Sequence, residues 1–164
     1  MKIILTLIIT CTLSFNANAQ KMKEYKIEID IKAPKEAVWN AITDFENFQK
    51  WNSVLVMKNN DSLILGNKFD VTIVQQNKKQ SSFKAVAISK NDFHSFAAEQ
   101  KIIGKWFFQA IHYFIIKETD KENIKFIQKW ELKGLVAALF RKQIFKELEE
   151  FKKMNWELKK YVEK

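Results

Sequence analysis

From Tyr25 to Lys32 the chain alternates without interruption: Tyr25, Ile27, Ile29 and Ile31 are apolar, and the residues between them are charged. A period of two is that of a strand with one face buried and one face wet. Ala33-Pro34-Lys35-Glu36-Ala37-Val38-Trp39 then starts a helix. Pro34 is expected at its first helical position, where the missing N–H costs nothing, and Glu36 suits the positive end of the helix dipole. Thr43 to Asn52 reads as a short second helix carrying Phe45, Phe48 and Trp51.

The middle of the chain has the pattern of an antiparallel meander. Leu55 to Lys58 is a short strand, ended by the turn formers Asn59-Asn60-Asp61-Ser62. A glycine turn at Gly66 leads into a strand with Phe69, Val71 and Ile73 on one face. The next strands put Phe83, Ala85 and Ala87 on one face, then Phe96, Ala98 and Gln100. Phe108, Ala110, His112, Phe114 and Ile116 share one parity, as do Phe126, Gln128, Trp130 and Leu132, with the polar loop Thr119–Asn123 as a hairpin between them. The result is a curved sheet of about seven strands whose apolar face needs a cover. Val136 to Tyr161 contains no Gly or Pro, and Ala137, Phe140, Ile144, Leu148, Phe151, Leu158 and Val162 recur near helical spacing. One long helix of about 39 Å is expected to lie across the sheet.

The motifs resemble the START-like (SRPBCC, polyketide cyclase/dehydrase-type) domains. Ile29-Asp-Ile31-Lys-Ala33-Pro34-Lys-Glu-Ala-Val38-Trp39 is similar to the family opening I-x-I-x-A-P followed by V-W, and Asp44 to Trp51-Asn52 is similar to D-x6-W-N. His112-Tyr-Phe114 with Trp130-Glu-Leu132-Lys-Gly134-Leu135 looks like the late strands, and the resemblance covers about residues 23–160. It implies an α+β helix-grip fold, in which a curved antiparallel sheet wraps a long C-terminal helix. It also implies a hollow between sheet and helix that accepts sterols, phospholipids, polyketides or other apolar molecules. Its lining is expected from Trp39, Phe69, Phe83, Phe96, Phe108, His112, Phe114, Phe126, Gln128 and Trp130, with Ile144 and Leu148 from the helix. Trp130 stands where many relatives carry an acidic residue, which implies a smaller and more apolar pocket. The glycine-rich loop of the plant pathogenesis-related members is absent, since Gly66 stands alone.

Met1-Lys2, the apolar run Ile3 to Leu13 and Ala17-Asn18-Ala19 have the form of a signal peptide cleaved before Gln20. Residues 1–19 are expected to be removed, leaving 20–164 as a single domain in the periplasm or outside the cell. Ile8-Ile9-Thr10-Cys11 loosely resembles a lipoprotein box, with Thr where a small residue is usual, so lipid attachment at Cys11 is a weaker alternative. Cys11 is the only cysteine, so the mature chain has no disulfide; about 145 residues suffice for a core without one. The net charge is +9, and without Lys2 about +8. Its lysines are scattered, the usual pattern of a solvated surface. Peripheral contact with an anionic membrane through the basic long helix is the alternative. A single arginine, Arg141, and export together argue against nucleic acid.

Little in the chain points to catalysis. With two histidines, His94 and His112, and no mature cysteine, neither a metal nor a cofactor is implied. No nucleophile elbow, H-E-x-x-H or phosphate-binding glycine loop occurs. His112 is the one ionisable group on an apolar strand face; it is read as a buried histidine bonded to a neighbour such as Gln128, with general-base chemistry as the second reading. Tyr113 has the opposite parity and is expected to point away. The leading expectation is an exported monomeric carrier or sensor of a small hydrophobic molecule. A cyclase- or dehydratase-like enzyme using His112 and a basic membrane-surface protein are the alternatives.

Overall fold

The computed structural model describes residues 22–57 and 63–164. The expected leader, Lys58 and the turn at Asn59–Ser62 lie outside the described residues. The order is β1 (Lys23–Ile31), α1 (Lys35–Thr43), a 3-10 turn (Phe48–Lys50), β2 (Leu55–Met57), β3 (Lys68–Val74), β4 (Gln80–Asn91), β5 (Ser95–Ile102), β6 (Phe108–Glu118), β7 (Ile124–Lys133), α2 (Leu135–Leu139), α3 (Arg141–Leu148) and α4 (Phe151–Val162). All strands pair antiparallel in one sheet ordered β1-β7-β6-β5-β4-β3-β2. A register shift between Ala87 and Ser89 in β4 adds bend to the long middle strands. The helices lie across the concave face, and this is the helix-grip arrangement.

Parity places the strands as expected. On β1, Ile27 and Ile31 are buried and the charged residues between them are exposed. The outer face carries ion pairs such as Lys84 with Asp70 at 2.9 Å, of the exposed kind that contributes little to stability. Tyr113 also points outward, its hydroxyl donating to Glu131 at 3.2 Å.

Three helical expectations are corrected. Pro34 is not the first helical residue: it is extended (φ −61°, ψ 146°), and its carbonyl accepts from Ala37 and Val38 at the start of α1. The expected second helix is a series of turns ending in one 3-10 turn. Asp44 leaves helical geometry at ψ 80° and takes the Asn47 backbone and side-chain N–H groups on its carboxylate. Phe45, Phe48 and Trp51, spaced by three, suit the three-residue repeat of such turns, and all three are buried in edge contacts at 5.8 and 4.8 Å.

The single long C-terminal helix is instead three segments. The break at Phe140 (φ −108°, ψ 17°) follows from how α2 is held. Gly134 turns the chain at φ +99°, and the amides of Leu135 and Val136 donate to the carbonyls of Trp106 and Phe107. Phe140 is therefore 57% exposed rather than part of the buried face. Between α3 and α4, Glu149 and Glu150 stay helical in dihedral angles, but the hydrogen bonds tighten to three-residue spacing. The Tyr25 hydroxyl on β1 donates to Glu149 and holds this joint, and the Tyr25 ring packs on Phe145 at 5.0 Å. The phenol is pushed up by burial and then by its bond to Glu149.

α4 is fastened to the start of the domain. Glu163 accepts from the Lys32 amide at 2.6 Å, Lys159 donates to the Asp30 carbonyl at 2.6 Å, and Glu157 takes the Ser53 amide and hydroxyl. Phe151, Met154, Asn155 and Leu158 form its buried face.

Candidate functional site

Small residues in the middle of the sheet leave space under the cover. Across the strands, Ala85 pairs with Phe69, Ala110 with both Gln100 and Leu132, and Ala98 with both Ala87 and His112. Alanine at these positions leaves the concave face short of atoms at its centre, while aromatics stand around it. The resulting cavity is about 250 Å³, predominantly apolar, and open to solvent on one side.

Nine of the twelve expected lining residues surround it: Phe69 on β3, Phe83 on β4, Phe96 on β5, Phe108, His112 and Phe114 on β6, Trp130 on β7, and Ile144 and Leu148 on α3. Three do not. Trp39 belongs to α1, which covers the far end of the sheet, and its ring meets Phe93 and Phe96 at 6.0 and 6.3 Å. Phe126 is fully buried, 6.3 Å from Phe114. Gln128 is also fully buried, with both ends of its amide engaged by protein groups.

Several residues outside the expected twelve also line the cavity. Ser81 and Gln100 share the parity of the expected faces, and Gln75 continues that of Ile73, so parity alone contained the signal. Leu55 and Met57 on the short β2, Phe151 on α4 and Glu147 on α3 complete the wall. Glu147 sits three residues after the inward Ile144, and it is the one carboxylate on the lining among the described residues. With Gln75, Ser81 and Gln100 it gives the otherwise apolar cavity polar groups from α3, the β3–β4 hairpin and the end of β5.

His112 lines the cavity from β6. Its ring stacks on Trp130 with centroids 4.1 Å apart and a 21° interplanar angle, contacts Phe114 at 4.0 Å, and meets Phe151 edge-on at 5.3 Å. His112 Nε2–H donates to Gln128 Oε1 at 2.8 Å, and Gln128 Nε2–H donates in turn to Asn155 Oδ1 at 2.6 Å. Burial among aromatic rings pushes the imidazole down to about 3, against a smaller upward effect from the Gln128 bond. At neutral pH the ring is uncharged, with the proton on Nε2 and a lone pair on Nδ1. A base this weak holds almost no driving force for proton abstraction near pH 7. Among the described residues no three His, Cys, Asp or Glu side chains cluster as a metal site.

No protein-family model and no curated protein match the chain. Solved structures do. Norcoclaurine synthase from Thalictrum flavum, in complex with dopamine and hydroxybenzaldehyde, matches with a TM-score of 0.65 at 14% identity, over 99% of this chain and 96% of that one. A START superfamily protein from Mycobacterium smegmatis matches with a TM-score of 0.62 at 14% identity, over 85% and 97%. The chain has the SRPBCC, START-like fold. A di-domain ARO/CYC from the steffimycin biosynthetic pathway aligns with this START-like domain at a TM-score of 0.63 and 11% identity, over 87% of this chain and 51% of that one. Each likeness is of fold. The START-like scaffold supplies the hollow, and the residues of this chain decide what enters it.

Proposed function

We propose that this protein binds a small, largely apolar molecule between the sheet and α3, as an exported carrier or sensor. The observation that supports this most is the open apolar cavity with polar groups confined to a few positions. A dry cavity of about 150 Å³ holds benzene. By proportion, 250 Å³ fits a body of about ten heavy atoms, such as a bicyclic ring or a medium acyl chain. A whole sterol or diacyl lipid exceeds it. Burying about 300 Å² of apolar ligand surface is worth roughly 7 kcal/mol before association costs, enough for binding without any catalytic group. The ligand's polar end meets Gln75, Ser81, Gln100 and Glu147, and the Glu147 carboxylate favours an uncharged or cationic end over an anionic one.

Titration with N-phenyl-1-naphthylamine, a neutral probe that fluoresces on apolar burial and whose naphthyl ring system fits the cavity while its phenyl ring extends through the open side, tests the cavity. Saturable binding is expected, displaced by medium-chain alcohols and lost in Ala110→Trp and Ala85→Trp variants whose circular dichroism remains native. Undiminished binding in both would place the probe elsewhere. Export is tested separately: N-terminal sequencing is expected to find Gln20 first on the protein recovered from the periplasm or medium.

Some structural neighbours are named as a synthase or an ARO/CYC, but the His112 environment weighs against a general-base role here. His112→Gln is expected to keep probe affinity within about fivefold, the worth of one hydrogen bond. If His112 were a general base, the same change would remove about a hundredfold or more of turnover with binding intact.

A further inference from the structure

At the β5–β6 end of the sheet, the loop after β5 and helix α2 form one surface. Leu135 N donates to Trp106 O at 3.0 Å and Val136 N to Phe107 O at 3.1 Å, while Gly134 packs so closely on Phe107 that a Cβ there would lie 2.5 Å from its carbonyl oxygen. These joined segments expose Ile102, Ile103, Trp106, Leu135, Leu139 and Phe140, each by 44% to 73%. The flanking residues Gln100, Phe108 and Ile144 line the cavity, so the apolar surface begins at the cavity rim. Apolar groups this large and this close together on a solvated protein mark a contact surface.

The charges around this surface are predominantly basic. Residues 101–108 and 133–146 contain Lys101, Lys105, Lys133, Arg141, Lys142 and Lys146, and no Asp or Glu. The lysines of α4 are differently placed: Lys152 pairs with Glu149, Lys153 with Glu157 and Lys159 with Glu163. The basic charge of α4 is thus largely answered within the helix, whereas at the rim the ion pair is that of Lys101 with Glu99, a carboxylate that Lys105 also holds down. Ile103 adds a separate sign. It is a β-branched residue at φ +60°, a conformation that disfavours it, and its side chain is 73% exposed. No packing within the fold accounts for an isoleucine there.

We propose that the β5–β6 loop and α2 dock the protein on an anionic lipid bilayer, with the cavity mouth beside the membrane. Trp106 suits the interfacial layer, where an amphipathic aromatic ring is favoured, Phe140 adds an apolar group to the inserted face, and each basic residue near an anionic surface tightens binding about fivefold. A second copy of the chain is a poorer occupant, because two-fold pairing of this face brings its own lysines together. Docking is independent of whether the cavity is filled; only the passage of ligand between bilayer and cavity rests on the function proposed above.

Flotation with vesicles of phosphatidylcholine mixed with phosphatidylglycerol, compared with phosphatidylcholine alone, tests the surface. Binding is expected to the anionic vesicles, weakened by salt. Trp106→Ser with Leu139→Ser is expected to lose at least about tenfold in vesicle affinity while retaining N-phenyl-1-naphthylamine binding. Lys152→Glu with Lys153→Glu on α4 is expected to leave vesicle binding in place. Ile103→Asn is expected to raise Tm, since asparagine tolerates the left-handed conformation, and yet to weaken vesicle binding. A purely structural residue would not move these two readouts in opposite directions. Absence of binding to the anionic vesicles overturns the proposal. So does binding unchanged by Trp106→Ser with Leu139→Ser, or abolished by the α4 pair. Self-association that those serines abolish, without vesicle binding, assigns the face to a second copy and overturns it equally.

Discussion

Gln128 Nε2 lies 2.6 Å from Asn155 Oδ1, joining β7 to α4 where both side chains are buried. The opposite end of the same amide accepts from His112 on β6. Two strands and the covering helix are thus tied through one side chain, and the tie places His112 against Trp130 on the cavity wall. Buried amides leave little choice of neighbour, because an unmatched donor or acceptor there costs more than a matched pair contributes.

Gln128→Leu is expected to destabilise the fold by about 2–5 kcal/mol, since it strands Asn155 Oδ1 and His112 Nε2–H together. Asn155→Leu strands one group and should cost about 1–3 kcal/mol. The double variant should cost less than the two losses added, which urea denaturation of all three proteins measures.

The same histidine sets a pH dependence. Its folded pKa of about 3 lies below the unfolded value near 6.5. The unfolded chain therefore binds a proton first as pH falls, so the stability due to a neutral His112 is complete above about pH 6.5 and declines toward pH 3. The slope is at most about 1.4 kcal/mol per pH unit. Glu28, Glu99, Glu149 and Glu163, all held below the usual carboxylate range, begin to contribute in the same direction nearer pH 4.5. Urea midpoints between pH 6.5 and 5 should decline in the wild type and decline less in His112→Gln.

Glu147 should select against anions. Decanoate is expected to compete with N-phenyl-1-naphthylamine less well than decanol, and Glu147→Gln should improve decanoate by about fivefold, roughly 1 kcal/mol of relieved repulsion near solvent. Equal gains for acid and alcohol would show that the carboxylate acts through shape alone.

Gly134→Ala places a Cβ 2.5 Å from Phe107 O at a φ of +99°. A cost of at least about 2 kcal/mol is expected, seen as a Tm lower by about 5–15 °C in calorimetry. An unchanged Tm would mean that α2 sits differently on the β5–β6 loop.

Strand parity made most of the concave face legible, because every strand has one face against the cover and a period of two admits few alternatives. Phe45, Phe48 and Trp51 show where that kind of reading stops. Spacings of three suit an α-helix and a 3-10 turn alike, and only the competition of Asp44 for the Asn47 amide decides between them. The breaks at Phe140 and at Glu149–Glu150 carry no Gly or Pro; they arise from contacts with Trp106, Phe107 and Tyr25, far away in the sequence. Expected lining residues fell out of the cavity for a similar reason. Gln128 has the right parity, but its partner Asn155 is more than twenty residues away in a helix that hides it. Glu147 was missed because a carboxylate beside an apolar stripe looks the same as any solvated residue of an amphipathic helix.

The jointed cover has a geometric consequence. A straight rod laid across a bowl rests on the rim and leaves an even gap beneath; a rod bent at intervals can descend in one place and stand clear in another. Here α4 descends, setting Phe151 and Met154 into the floor. α3 stands clear over the alanines, and α2 is held by its first amides on the β5–β6 loop. Depth, hollow and anchorage are thus assigned to successive segments of one chain.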